Sequence, residues 1–169
     1  MRAVAARAVI IREYRKPDIE QLRVIWNEVI EDGIAFPQTE PLTTAEAIRL
    51  FAEQSFTGVA EDQSTGEVLG LYILHPNNVG RCGHISNASY AVKSEVRGMH
   101  IGEKLVLHSI KKGRELGFQI LQFNAVVKTN QYAIRLYEKL GFVKLGLIPG
   151  GFLMKDGTLE DIILFYRTL

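Results

Sequence analysis

The chain has 169 residues, 47% hydrophobic and 23% charged, about one domain's worth of sequence with enough apolar surface for a sizeable core, so disorder is excluded as its main state. With 20 Lys and Arg against 19 Asp and Glu, the formal net charge is +1, which lacks the uniform positive field of a globally basic nucleic-acid binder. The charge is uneven, however: residues 18–67 hold 11 acids and 2 bases (−9), and residues 93–128 hold 7 bases and 3 acids (+4), a split that points to two ligand surfaces.

Residues 8–14 (AVIIREY) predict a first strand. Pro17 and Asp18 then open a helix, with proline in its first turn, Asp18 as its cap and Ile19, Leu22, Ile25, Trp26 and Val29 at helical spacing. A loop follows over 33–41, and a shorter helix over 44–54. Residues 56–61 and 67–75 predict paired strands around the turn Gln63-Ser64-Thr65-Gly66, and 84–92 a further strand. Helix and strand then alternate. Residues 98–115 predict a helix with Ile101, Leu105, Val106 and Ile110 on one half and Lys104, Lys111 and Glu115 on the other. Gly117 stops it before the strand 120–127 (ILQFNAVV). Residues 130–140 predict a second helix, whose face is Ala133, Ile134, Leu136, Tyr137 and Leu140; Gly141 ends it and Phe142 begins a strand. The last strand, 161–166, is reached through the turn-rich stretch PGGFLMKDGT. No linker divides the chain, so one mixed α/β domain over 1–169 is expected.

The longest clean apolar run, 68–74, is far short of a membrane span, and Arg7 and Arg12 interrupt the N-terminal stretch so that no signal-peptide core forms. Cys82 alone makes no internal disulfide, which fits a reducing, cytoplasmic setting. Without secretion, the glycosylation-like string Asn87-Ala88-Ser89 has no role. His75, His84, His100 and His108 lack Cys or carboxylate partners at ligand spacing, so no metal is expected.

Two segments carry chemistry. In VKSEVRGMHIGEKL (92–105) a strand end and a loop lead into a helix start. Gly98 and Gly102 leave little side-chain bulk, and the helix N-terminus offers unpaired N–H groups with the positive end of its dipole, a site for phosphate or pyrophosphate with Arg97 as a charged partner. The plainer alternative is loop punctuation and a solvated arginine. In NQYAIRLYEKLGF (130–142), Asn130 is placed to cap a helix, and Tyr137 lies in its apolar stripe, where a core tyrosine is the plain alternative.

Together, RGMHIG and N-x-x-A-x-x-L-Y-x-x-x-G-F resemble the acyl-CoA loop and the second cofactor motif of the GCN5-related N-acetyltransferase superfamily. His100 stands where that family usually has its middle glycine, so its side chain must point outward or touch the cofactor. The resemblance implies a mixed, mostly antiparallel sheet with helices on both faces and a splayed central strand pair. It also implies acetyl-CoA as co-substrate, with no metal, held by Tyr90, Ala91, Val92, Arg97, Gly98, Met99, His100, Ile101, Gly102, Glu103, Asn130, Ala133 and Tyr137. HISNASYAV, LQFNAVVKTN and LGLIPGGFLMKDG are similar to fungal acetyltransferases acting on L-azetidine-2-carboxylate and proline analogues, and IWNEVIEDGIAFPQTEPLT to the acceptor loop of phosphinothricin-type acetyltransferases. Asn87, Asn124 and Ala125 are thereby implied as acceptor-binding, Tyr137 and Asn130 as catalytic. The partners implied are a small amino-acid-like molecule and, in a homodimer, a second copy of the chain, with no nucleic acid or membrane.

The resemblance further implies direct attack by a neutral amine, with a backbone N–H near 90–92 meeting the developing oxyanion. Tyr137 would protonate the thiolate, or Asn130 would stabilise the sulfur while water supplies the proton. Glu28, Glu31, Asp32, Glu40, His84 and Asp161 do not separate into base and solvated residues in the sequence. A protein N-terminus or lysine as acceptor, and a non-catalytic acyl-CoA-binding module, remain the alternatives.

Overall fold

The computed structural model describes residues 7–169; residues 1–6, the beginning of the stretch read as lacking a signal-peptide core, lie outside the described residues. The elements run β1 (Val9–Glu13), α1 (Ile19–Asp32), α2 (Thr44–Ala52), β2 (Phe56–Asp62), β3 (Val68–Pro76), β4 (Ile85–Val92), α3 (Ile101–Glu115), β5 (Ile120–Val127), α4 (Gln131–Lys139), β6 (Val143–Leu153) and β7 (Leu159–Thr168). The strands form one sheet in the order β1-β2-β3-β4-β5-β7-β6, antiparallel except for the parallel pair β4 and β5.

Side chains alternate across a strand, so β3 feeds two cores. Leu71 and Ile73 join Leu22, Trp26 and Phe51 of α1 and α2, while Tyr72 and Leu74 join Leu105, Ile110 and Ile134 of α3 and α4. The helices therefore cover opposite faces, as expected. Trp26 anchors the first core against Phe36, with ring centroids 4.4 Å apart, and against Phe51 at 5.9 Å. No helix among the described residues is long and apolar enough to cross a membrane.

The structure corrects three local expectations. Asp18 makes no side-chain capping bond to α1. It is buried and accepts hydrogen bonds from the Arg12 guanidinium at 2.8 and 3.0 Å and from the Arg15 amide at 2.6 Å, while Arg12 also binds Glu61 on the neighbouring strand. Helix α3 starts at Ile101 rather than at 98, because a short 3-10 turn (Ser94–Val96) and positive φ angles at Gly98 and His100 delay it. Half of the turn-rich stretch 149–158 is strand. β6 continues to Leu153, paired with Leu159, and the turn is confined to a hairpin closed by the Met154 amide donating to the Thr158 carbonyl.

Burial alone would raise the Asp18 carboxyl; the hydrogen bonds from Arg12 and Arg15 more than offset this and hold it below the usual carboxylate range. Its contribution to stability is thus present above the unfolded pKa of about 4 and is lost as pH falls through the lower folded value. Denaturant titrations should find Asp18→Asn less stable by about 3 kcal/mol at neutral pH, with the gap to wild type narrowing below about pH 4.

Candidate active site

Parallel pairing between β4 and β5 extends only from Ile85–Ile120 to Asn87–Gln122. Beyond it β4 stays paired with β3 as far as Val92, and β5 turns toward β7 through a bulge between Phe123 and Val126. Lys93 donates its N–H to Leu69 of β3, so strand alternation aims the N–H groups of Tyr90 and Val92 into the gap between β4 and β5. The gap opens into a cavity of about 530 Å³.

One wall of the cavity is the loop before α3. Gly98 has φ +83° and a Cβ there would meet nothing within 4 Å, while a Cβ on Gly102 would lie 3.6 Å from the Tyr132 hydroxyl. Lys104 makes the first helical bond, to the His100 carbonyl, so the amides of the preceding turn are free of intrahelical partners and form a concave donor set. His100 is the one non-glycine residue with positive φ among the described residues (φ 59°, ψ 21°). Its backbone therefore keeps the conformation glycine favours, at a cost of about 1–2 kcal/mol. Its side chain is 75% exposed and lies 3.6 Å from Glu103.

The facing wall is the start of α4. Asn130 caps this helix, its Oδ1 accepting from the Ala133 amide at 3.3 Å. The cap fixes the amide plane and leaves Nδ2 without a protein partner among the described residues. The Tyr137 ring packs at tilted and edge-on angles in an aromatic cluster with Phe123 (4.4 Å), Phe142 (5.5 Å) and Phe165 (5.8 Å). Its hydroxyl makes no hydrogen bond to the described residues, and the residue lines the cavity. Burial, with a smaller contribution from Tyr132, pushes the Tyr137 hydroxyl well above its ordinary pKa. It is a proton donor that stays protonated at neutral pH. Tyr90 differs: its side chain is tied to Ser109 at 2.7 Å and only its backbone faces the gap.

At the other end stand the asparagines. Asn87 donates its side-chain amide to the Gln122 carbonyl at 2.8 Å, closing the last rung of the parallel pair. The sheet-edge role that competes with acceptor binding is thus met by Nδ2, and Oδ1 accepts no protein hydrogen bond among the described residues. Asn124 is held between Gln122 at 3.0 Å and Asn77 at 2.6 Å. Of the residues implied by the sequence, the cavity gathers Asn87, Tyr90, Val92, Arg97, Gly98, Ile101, Gly102, Asn124, Ala125, Asn130, Ala133 and Tyr137. Ala91, Met99, His100 and Glu103 do not line it: Ala91 is buried in the α1–α2 core, and the Glu103 side chain is bonded to Lys139 at 3.0 Å. Among the acids left open, Asp32 alone lines this cavity. Glu28 accepts from the Ser94 amide, Glu31 from Lys155, and Asp161 from Gly150 and Lys128. Cys82 is exposed on a short turn and His84 is exposed; neither lines the cavity. Sequence reasoning missed Asn77, Tyr132 and the Phe36 wall; of these only Phe36, a buried aromatic in the loop 33–41, left a signal. Among the described residues no group of three or more His, Cys, Asp or Glu is arranged to hold a metal ion.

The sequence pattern of the acetyltransferase (GNAT) family matches residues 20–142. The chain is 32% identical over 158 residues to N-acetyltransferase aca1 of Schizosaccharomyces pombe, covering 83% of this chain and 76% of that protein. A GCN5-related N-acetyltransferase from Kribbella flavida has a TM-score of 0.88 and 30% identity, over 96% of this chain and 98% of the other. A phosphinothricin acetyltransferase from Sinorhizobium meliloti, solved in complex with AcCoA, shares the fold with a TM-score of 0.87 and 23% identity, over 95% of this chain and 88% of the other.

The left-handed backbone at His100 makes a stability prediction. His100→Gly should leave the denaturation midpoint unchanged or raised, whereas His100→Val should cost about 1–2 kcal/mol, since a β-branched side chain tolerates positive φ least.

Proposed function

The chain belongs to the acetyltransferase (GNAT) family, and from that premise we propose that it moves the acetyl group of acetyl-CoA to the amine of a small amino- or imino-acid-like acceptor. The observation that carries this reading is the cavity itself: a donor-lined anion site at α3 and a neutral phenol at α4 face each other across a gap into which two backbone amides point. The residues fit the cofactor. The Gly98 and Gly102 backbone has no side chain in the way, the free amides before Lys104 match a pyrophosphate, and Arg97 supplies a positive charge beside them.

Bound acetyl-CoA supplies an acyl group already activated as a thioester. The remaining work falls to the chain. The amides of Tyr90 and Val92 donate to the carbonyl oxygen as negative charge develops on it. Tyr137, protonated at neutral pH and lining the cavity, offers its hydroxyl proton to the departing sulfur. Asn130 Nδ2, oriented by the cap, adds a hydrogen bond at the same place. Attack is direct, with no acyl-enzyme; Cys82 lies outside the cavity.

For the acceptor, Asn87 Oδ1 and the Asn124–Ala125 segment offer polar groups of the size and neutrality that suit an amino acid. Lys155 bonds to the Glu31 carbonyl and, at 3.2 Å, to its carboxylate, tying the β6–β7 hairpin to the end of α1. That closure supports a small acceptor over the open groove that a protein N-terminus or lysine would need. The same reading carries one catalytic domain over 1–169 and a cytoplasmic homodimer, for which the exposed Leu145, Leu147 and Ile148 on edge strand β6 offer an apolar surface.

An acceptor screen at saturating acetyl-CoA, followed by thiol release, is the direct assay. Release is expected with at least one of L-azetidine-2-carboxylate, proline analogues, phosphinothricin or methionine sulfoximine; none with any amino-acid acceptor would reject this substrate class. Tyr137→Phe should lower kcat by about 100-fold or more with little change in KM for acetyl-CoA. Asn130→Ala should lower kcat and also cost about 1 kcal/mol of stability through the lost cap. If neither substitution changed kcat, the assignment of the catalytic residues would fail.

A further inference from the structure

Asp32 and Arg97 meet at the mouth of the cavity. One guanidinium nitrogen, Nη2, donates to Asp32 Oδ2 at 2.6 Å, and both residues line the cavity. Asp32 lies at the C-terminal end of α1 beside the Ile34–Pro37 wall of the acceptor end; Arg97 belongs to the loop whose free amides form the anion site. The contact joins the two ends of the site and uses only part of each partner. Oδ1 of Asp32 and the other nitrogens of Arg97 make no hydrogen bond among the described residues. The Arg97 side chain is 53% exposed and that of Asp32 39%, the setting in which an ion pair contributes little and exchanges readily. Lys155, which shares a smaller pocket with Asp32, is already committed to Glu31.

We propose that Asp32 is the carboxylate that receives the ammonium form of the acceptor, and that Arg97 masks it until a pyrophosphate draws the guanidinium away. The proposal rests on the reading of the cavity as an acyl-CoA and amine site. A pyrophosphate presents several anionic oxygens to a five-donor guanidinium already beside its binding loop, whereas Asp32 occupies one donor. Once Arg97 turns, a carboxylate is left uncompensated at the acceptor end and attracts a cationic amine. Cofactor and acceptor are then coupled through a single exchanged partner, and the coupling is reciprocal. Binding is ordered: the nucleotide part first, the amine second.

The test is a double-mutant cycle on CoA binding, measured by calorimetry with wild type, Asp32→Asn, Arg97→Gln and the double variant, each checked for an unchanged melting transition. Asp32→Asn should tighten CoA by about two- to fivefold, the equivalent of one exposed ion pair removed as competitor. Arg97→Gln should weaken CoA, and in that background Asp32→Asn should bring no gain. S-Acetylpantetheine, which has the thioester but no pyrophosphate, should bind wild type and Asp32→Asn equally. With an accepted amino-acid substrate, Asp32→Asn should raise the acceptor KM by tenfold or more. CoA affinity unchanged or weakened in Asp32→Asn, or a gain that persists with Arg97→Gln, would overturn the proposal while leaving the cavity's assignment standing. Failure of wild type to bind CoA at all would instead overturn the assignment on which it rests.

Discussion

The site depends on one limit to hydrogen bonding: β4 and β5 share only the parallel rungs from Ile85–Ile120 to Asn87–Gln122. Each strand has a full partner on its outer side, β3 for β4 and β7 for β5. Beyond the fork each half of the sheet is therefore paired on its outer side, while the inner edges of β4 and β5 are left apart. The bulge between Phe123 and Val126 turns β5 away, and the Asn87 side chain takes the Gln122 carbonyl at the fork. A fully paired sheet would consume the amides of Tyr90 and Val92. The fork leaves them facing a cavity, with the beginnings of α3 and α4 on either side.

The positions proposed to act are also where local rules are broken. His100 holds a left-handed backbone without being glycine, Asn130 leaves half its amide unpaired, and Tyr137 sets a phenol with no protein partner above an aromatic cluster. The cluster of Phe123, Phe142 and Phe165 holds the ring while the residue lines the cavity, and burial, with a smaller contribution from Tyr132, raises the pKa of its hydroxyl.

Much of this was legible in the sequence. The apolar stripes of α1, α3 and α4 gave helices on the right residues, and the spaced motifs around Arg97 and Tyr137 pointed to the two helix starts that line the cavity. What remained hidden depends on partners distant in the chain. Asn124 is fixed by Asn77, and Asn87 by Gln122, pairs that no local pattern connects. Asp18 resembled a helix cap because the signal for a cap and for a buried ion partner is the same short acid before an apolar run. Arg12, which decides between them, stood out in the sequence only as an interruption of the N-terminal apolar stretch.

The opposed charges of 18–67 and 93–128 acquire a structural meaning as well. Glu67 pairs with Lys93, Glu28 accepts from the Ser94 amide and Asp32 pairs with Arg97. The acidic and basic stretches thus lie against each other, reaching the cavity at Asp32 and Arg97, and most of the acids are already occupied. Backbone hydrogen exchange with and without acetyl-CoA tests the central claim, that the forked strands and the two helix starts form the binding site. Protection should appear at residues 88–92, 98–103 and 130–133, with none in the β2–β3 turn at 63–66. Unchanged exchange at 98–103 under saturating acetyl-CoA, or protection confined to other parts of the sheet, would contradict it.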